Sequence, residues 1–375
     1  MKIKDICVGV TDGSHNPPQG IETSNYYMLS SKNIFDNEIT FDDPRYLTES
    51  DFEQENKRTK IGIGDVLLTI VGTVGRTAVV DETMPCFTLQ RSVAVLHPKA
   101  EICNSKYLMY ALQGKRSYIE SHAKGVAQKG IYLKEVSDID LNVPSLSEQE
   151  DIVAVLDKVD SIIHARRQEL QKLDELIKAR FVELFGTYPA NEKGWETGTI
   201  RDLVSEVRYG SSRKAADGDS GKYPYLRMNN ITYSGELDLT DTKTIDIPDE
   251  ELPKCTVRRG DVLFNRTNSK ELVGKTCVYD RDEMMVLAGF VVRVRVNERI
   301  LPEILSAFLN TDFSKQMLLA MCKAAIGQAN INAQELQNIG IYIPPIELQR
   351  EFVTFKQQVD KSKVVCVMAL QAILE

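Results

Sequence analysis

The sequence predicts an α+β protein made by tandem duplication: two globular domains joined by two long helices packed as a coiled coil. Three observations carry that reading. First, "GIYLKEVSDIDLNVPSLSEQ" from residue 130 reappears as "NINAQELQNIGIYIPPIELQ" from residue 330, a displacement of 200 that holds without a gap through Asp160 and Asp360. Second, earlier landmarks repeat at nearly the same interval. Gly64-Asp65-Val66-Leu67 matches Gly260-Asp261-Val262-Leu263 at 196, and Asp5, Gly13, Leu29, Asn33 and Ile34 match Asp202, Gly210, Leu226, Asn230 and Ile231 at 197. Third, a long run of apolar residues at three-four spacing follows each proline corner.

Taken in order, residues 1–146 form the first globule. Short β-branched runs, "DVLLTIVG", "RTAVV" and "SVAVLHP", are bounded by Gly, Asn, Asp and Pro as strands are, and "SKYLMYALQGKRSYIESHA" reads as helix. Residues 147–186 form a central helix. Ser147 and Glu150 make a capping-box pattern after Pro144, and Ile152, Val155, Val159, Ile162, Leu170, Leu173, Leu176, Ile177, Phe181 and Leu184 supply a seam, broken near Arg166 and ending at Gly186. At 1.5 Å per residue such a helix is roughly 57 Å long, more than one small domain covers. Residues 187–346 repeat the globule with "DVLFN", "KTCVYD", "FVVRVRVN" and the helical "LPEILSAFLNTDFSKQMLLAMCKAA". Residues 347–375 repeat the helix, with Leu348, Phe352, Phe355, Val359, Val367, Leu370 and Leu374 on its seam. The two seams either bury against each other or each packs on its own globule.

Charge and composition narrow the function. The net charge is −8, and none of the four segments has more basic than acidic side chains. A polyanion partner is therefore met through local basic loops rather than an overall field. Seven scattered cysteines without a C-x-x-C pair suit a reducing compartment, and no apolar run approaches a membrane span. The expected location is the cytoplasm, with no membrane partner.

Catalytic motifs are approached and missed. Asn16-Pro17-Pro18 is followed by Gln19, not by the aromatic that stacks on a flipped base, so a polar turn is the reading. Gly274-Lys275-Thr276 has Ser269 where a phosphate loop needs its first glycine. His15, His97, His122 and His164 show no metal-ligand spacing. No catalytic or metal site is expected in this chain.

The pattern "GDVLL…VGTVGRTAVV…LQRSVAVLHP…GVAQKGIYLKEVSDIDLNVPSLSEQEDIVAVLDKVD", repeated as "GDVLF…LVGKTCVYD…IGQANINAQELQNIGIYIPPIELQREFVTFKQQVD", resembles the DNA-specificity subunit of type I restriction-modification systems over essentially the whole chain. The resemblance implies that each globule is a target-recognition domain reading half of a split DNA site. It implies that the long helices pack antiparallel, set the spacer between half-sites and dock two methyltransferase (modification) subunits. S-adenosylmethionine, ATP and Mg2+ would then belong to partner subunits, among them separate motor-nuclease (restriction) subunits. Two departures stand out: the first globule lacks the "NEKGWETGTI" run-in of the second, and Leu348 replaces Glu148 beside the repeated glutamine.

Base edges are read by forked donors and acceptors, Arg and Lys preferring guanine and Asn and Gln preferring adenine. In the first domain the loops supply Lys32, Asn33, Thr73, Arg76, Gln90, Arg91, Lys124, Gln128, Lys129 and Tyr132. In the second they supply Arg208, Ser212, Arg213, Lys214, Arg227, Asn229, Asn230, Arg266, Asn268, Lys275, Gln328, Asn330 and Asn332. The acidic "FDDPRYLTESDFEQENK" and "DIPDEEL" are expected to be solvated turns facing away from phosphate, and Arg293 and Arg295 are as consistent with a structural role as with phosphate. A duplicated protein-interaction adaptor without DNA specificity is the competing reading, one the acidic net charge suits.

Overall fold

The computed structural model describes the chain apart from residues 126–128, 217, 219, 270, 323–328 and 375. It divides into two compact units, Met1–Ile162 and Ile163–Glu375, and the division falls inside the helix Leu146–Phe185.

Both units are built on one plan. In the first, a four-stranded antiparallel sheet has the order Cys7–Asp12, Val93–Pro98, Val66–Thr69, Thr77–Val79. In the second, the same order is Val204–Tyr209, Val291–Val296, Val262–Asn265, Thr276–Val278. A smaller sheet follows in each, three-stranded in the first unit and four-stranded in the second, with one parallel pairing: Tyr27–Leu29 beside Phe87–Leu89, and Tyr223–Leu226 beside Met285–Leu287. The central strands Val66–Thr69 and Val262–Asn265 are buried at every position, which is why they read as continuous apolar runs rather than alternating ones.

The repeated Gly-Asp has a geometric cause. Gly64 and Gly260 both hold φ +88°, a conformation that an L side chain resists. The following carboxylate closes the turn: Asp65 accepts the Gly62 N–H at 2.7 Å and Asp261 accepts the Arg258 N–H at 2.9 Å. Its other oxygen then meets a side chain on the neighbouring strand, the His97 imidazole at 2.7 Å in the first unit and the Arg295 guanidinium at 2.8 Å in the second. Arg293 is 1% exposed and binds Glu206 at 2.8 Å, so both arginines of "VVRVRV" are structural.

Several elements differ from the sequence expectation. The first helical stretch is two helices, Ser105–Gln113 and Arg116–His122, parted at Gly114. Its counterpart also divides, into Pro302–Leu309, which ends at the C-cap Asn310, and Asp312–Met321, which Thr311 caps by accepting the Ser314 N–H. The acidic stretch expected to be a turn contains the helix Glu49–Thr59, capped by Thr48, whose hydroxyl accepts the Asp51 N–H at 3.1 Å. The second unit has the strand Thr256–Val257 in its smaller sheet instead.

The corner before the central helix is also two residues earlier than the capping pattern suggests. Ser145, not Ser147, is the cap, and its N–H and hydroxyl both donate to Glu148, at 3.0 and 2.6 Å. In the second copy Pro345 occupies the cap position ahead of Ile346–Leu374. A proline has no N–H to satisfy. The acidic residue is therefore dispensable, and Leu348 turns into the apolar core instead.

Within the second unit the two long helices run antiparallel. Phe352 packs on Phe181 and Phe185 at ring-centroid distances of 5.3 and 5.7 Å, Arg180 meets Glu351 at 2.7 Å, Lys363 meets Asp174 at 2.5 Å, and the Cys366 Sγ reaches the Arg166 carbonyl at 3.3 Å. Residue numbers rise along one helix as they fall along the other. Both expected packings occur: the three phenylalanines touch one another across the helices and also belong to the apolar core of the globule, and beyond them polar contacts join the helices. In the first unit, residues 146–162 are fixed by buried Val153 and by Asp157, which accepts from Lys106 at 2.6 Å and Tyr110 at 2.8 Å.

Candidate nucleic-acid interface

In each unit several loops leave the sheets at one end and are stitched together by their backbones. In the first unit, the Arg91 N–H donates to Ser14 O at 2.9 Å, the Gln90 N–H to Leu29 O at 2.8 Å, the Ser31 N–H to the Ser92 hydroxyl at 3.0 Å, and the Gly72 N–H to Lys129 O at 3.0 Å. These bonds gather the loops around residues 14, 31, 72, 90–92 and 129 into one surface. In the second unit, the Ser211 N–H donates to Leu287 O at 2.6 Å, the Gly289 N–H to Ser211 O at 2.7 Å, the Arg266 N–H to Phe290 O at 3.0 Å and the Ile331 N–H to Arg266 O at 2.9 Å. The close approach excludes side chains at one point: a Cβ on Gly13 or Gly210 would lie 2.1 or 2.2 Å from the carbonyl oxygen of Leu89 or Leu287.

Most of the residues chosen from sequence lie on these loops, but their availability differs. Thr73, Arg91, Lys129 and Tyr132 are exposed in the first unit and Gln90 is half-buried. Ser212, Lys214 and Asn229 are exposed in the second. Four exposed cations hold carboxylates: Lys32 with Asp43 at 2.5 Å, Lys124 with Glu135 at 2.9 Å, Arg208 with Glu206 at 3.2 Å and Arg213 with Glu251 at 2.6 Å. Exposed pairs of this kind are worth about 0–1 kcal/mol, so a phosphate can displace the carboxylate at little cost. Arg76 and Arg266 lie over aromatic rings, Phe35 at 4.8 Å and Tyr209 at 4.9 Å, which fixes their direction. Arg227 donates to the Asp241 carboxylate at 2.9 Å. Asn268 accepts the N–H of Ser269 at 2.8 Å, and Asn330, on the strand paired with Thr267–Asn268, accepts from the Thr267 hydroxyl at 3.3 Å. Gln128 and Gln328 lie outside the described residues.

Four choices have structural duties instead. Asn33 is 1% exposed, accepting the Ser30 N–H at 3.1 Å and donating to Asp42 O at 2.9 Å. Asn230 is 2% exposed and does the same with Arg227 and Asp238, both at 2.8 Å. They repeat because each closes the same turn. Asn332 caps the helix Ala333–Gln337, accepting the N–H groups of Gln334 and Glu335 at 2.8 and 2.9 Å. Lys275 is buried, its ammonium donating to Met228 O at 3.0 Å, and burial pulls its pKa below the usual lysine value.

The sequence reading passed over a duplicated pair behind the interface. Gln149 and Gln349 are both fully buried. Gln149 accepts the Asn104 N–H at 2.8 Å and donates to Ile102 O and Pro144 O at 2.9 and 2.8 Å. Gln349 accepts the Leu301 N–H at 2.8 Å and donates to Arg299 O and Pro344 O at 3.0 and 2.8 Å. Each glutamine clamps the first turn of a long helix to the globule that carries the loops. The signal was present, since these are the repeated glutamines of the two proline corners.

Among the described residues no group of three or more His, Cys, Asp or Glu side chains is placed to hold a metal ion, and no helix is long and apolar enough to cross a membrane.

Comparison with known proteins places this architecture. The type I restriction enzyme EcoKI specificity subunit of Escherichia coli (strain K12) is 21% identical over 258 residues, covering 65% of this chain and 55% of that protein. The MjaVIII specificity subunit of Methanocaldococcus jannaschii is 24% identical over 331 residues, covering 81% and 74%. The chain thus spans about half the length of the first relative. The crystal structure of the type I restriction-modification S subunit from M. genitalium matches with a TM-score of 0.52 at 13% identity, over 100% of this chain and 92% of that one, a likeness of fold. A structure from work on complex assembly of the type I restriction-modification system matches with a TM-score of 0.54 at 16% identity, over 100% and 93%. The family model for the type I restriction modification DNA specificity domain matches twice, over residues 1–175 and 192–365, and the chain belongs to that family.

Proposed function

We propose that this chain reads a bipartite DNA site, one half with each unit, and confers that specificity on methyltransferase subunits docked on its long helices. The observation that carries the reading is the duplicated loop surface. Two units of one topology present different Arg, Lys, Asn and Gln side chains on the same frame, as suits a site whose halves differ in sequence. The chain itself is non-catalytic in this reading. S-adenosylmethionine would bind the methyltransferase subunits, and ATP with Mg2+ the motor-nuclease subunits, in the cytoplasm.

The acidic net charge fits a subunit that binds DNA weakly alone and gains phosphate contacts from its partners. The test is co-expression with the cognate methyltransferase subunit followed by mapping of methyladenine. A two-part motif with an unread spacer supports the reading, and adenine methylation that is absent or not bipartite refutes it.

A further inference from the structure

We propose that Phe290 is a specificity-determining contact of the second unit, reading the C5 methyl group of a thymine in its half-site. The inference rests on the DNA-reading function proposed above and adds to it the base that one side chain recognises.

Phe290 is 52% exposed at the tip of a turn on the loop surface of the second unit. Its backbone is held from three sides. The Gly289 N–H donates to Ser211 O at 2.7 Å, the Val291 N–H to Ala288 O at 2.9 Å, and the Phe290 carbonyl accepts the Arg266 N–H at 3.0 Å. A large apolar ring on a turn this constrained is presented rather than merely left outside, and binding has little ordering entropy left to lose there.

The repeat shows that the ring is not required by the frame. The matching position in the first unit is Ser92, whose carbonyl accepts the Ile70 N–H at 2.9 Å as that of Phe290 accepts Arg266. The Ser92 hydroxyl faces its own unit and accepts the Ser31 N–H at 3.0 Å. The neighbouring residues differ in the same sense, Gln90 and Arg91 in the first unit against Ala288 and Gly289 in the second. One unit therefore offers polar groups where the other offers an apolar ring.

The surroundings favour a nucleic acid over an apolar protein patch. Arg266 lies over Tyr209 at the end of the strand Val204–Tyr209, and Arg208, Ser212 and Lys214 are exposed on the same end of the sheet. A ring set among cations and hydroxyls suits a groove whose walls are phosphates and whose floor carries one apolar group, the thymine methyl. Apolar contact with that methyl is a recognised means of base discrimination.

The experiment uses the full chain assembled with its methyltransferase subunit, after its motif has been mapped. Duplexes carrying the motif have each thymine replaced singly by uracil, which removes only the methyl group, and affinity is measured for the native protein and for Phe290→Ala and Phe290→Leu. The expected result is one thymine, in one half-site only, whose replacement weakens native binding about three- to fivefold, the effect of burying one methyl group. Phe290→Ala binds thymine and uracil duplexes alike at that position, Phe290→Leu retains part of the difference, and the other half-site is read unchanged. The proposal is overturned if no thymine is methyl-sensitive, if the sensitivity survives in Phe290→Ala, or if Phe290→Ala weakens only assembly with the methyltransferase subunit. Absence of any bipartite motif in the native complex would refute the function itself, a result distinguishable from these.

Discussion

Replacing Gln149 or Gln349 by leucine leaves one buried N–H and two buried carbonyl groups without their partner. Each change should cost about 2–4 kcal/mol, measured by denaturant unfolding, because buried polar groups then lose hydrogen bonds that water cannot replace. Asn33→Ala and Asn230→Ala should likewise lower stability, by roughly 1–3 kcal/mol, rather than alter base preference. His97 gives a pH signature. Its hydrogen bond to Asp65 raises its pKa above the ordinary value of 6.5, against the smaller effect of burial. The stability it contributes is therefore fully present below the unfolded value and is lost as pH rises through the raised, folded one. In thermal melts across neutral pH, the advantage of the native protein over His97→Asn should shrink from the acid to the alkaline side. At this scale the sequence was hardest to read. Asn33 and Asn230 have the residue type and loop position of adenine readers, and only the burial of their amides separates a turn-closing asparagine from a base-reading one.

The helices and corners were more legible, because apolar periodicity and proline report on the backbone directly. What periodicity could not resolve was the choice between seams packed on each other and seams packed on globules. Phe181, Phe185 and Phe352 do both, touching across the two helices within the globule's core, while Lys363 with Asp174 and Cys366 with Arg166 join the helices beyond it. Phe352→Ala should lose about 3–5 kcal/mol, as an aromatic removed from a closed core does, and the loss is read from the unfolding midpoint at unchanged slope. The two corners should also respond differently. Ser145→Ala should cost about 1 kcal/mol through its cap, whereas Leu348→Glu gains no cap because Pro345 has no N–H to offer. The contrast of Glu148 with Leu348, which invites a functional explanation from sequence, thus follows from the residue three positions earlier.

Across the whole molecule, the duplication was visible because the residues that repeat are those that hold the frame: the Gly64 and Gly260 turns, the Gly13 and Gly210 close approaches, and the Gln149 and Gln349 clamps. The loop surfaces diverge on that frame, so their partners are not written in the repeat. This division between constant frame and variable loops would be the physical basis for the proposed reading of two unlike half-sites by one chain. Its most direct test is a loop transplant. Residues 91–92 and 289–290 occupy matching turns, and replacing "GF" at 289–290 by the "RS" of 91–92 alters the second unit's loop surface while leaving the buried Ala288 in place. Methyladenine mapping of the reassembled complex should show one half of the motif altered, with the other half and the spacer preserved. A transplant that changes both halves, or a folded and assembled complex with the motif unchanged, would contradict the claim that each unit reads its own half through these loops.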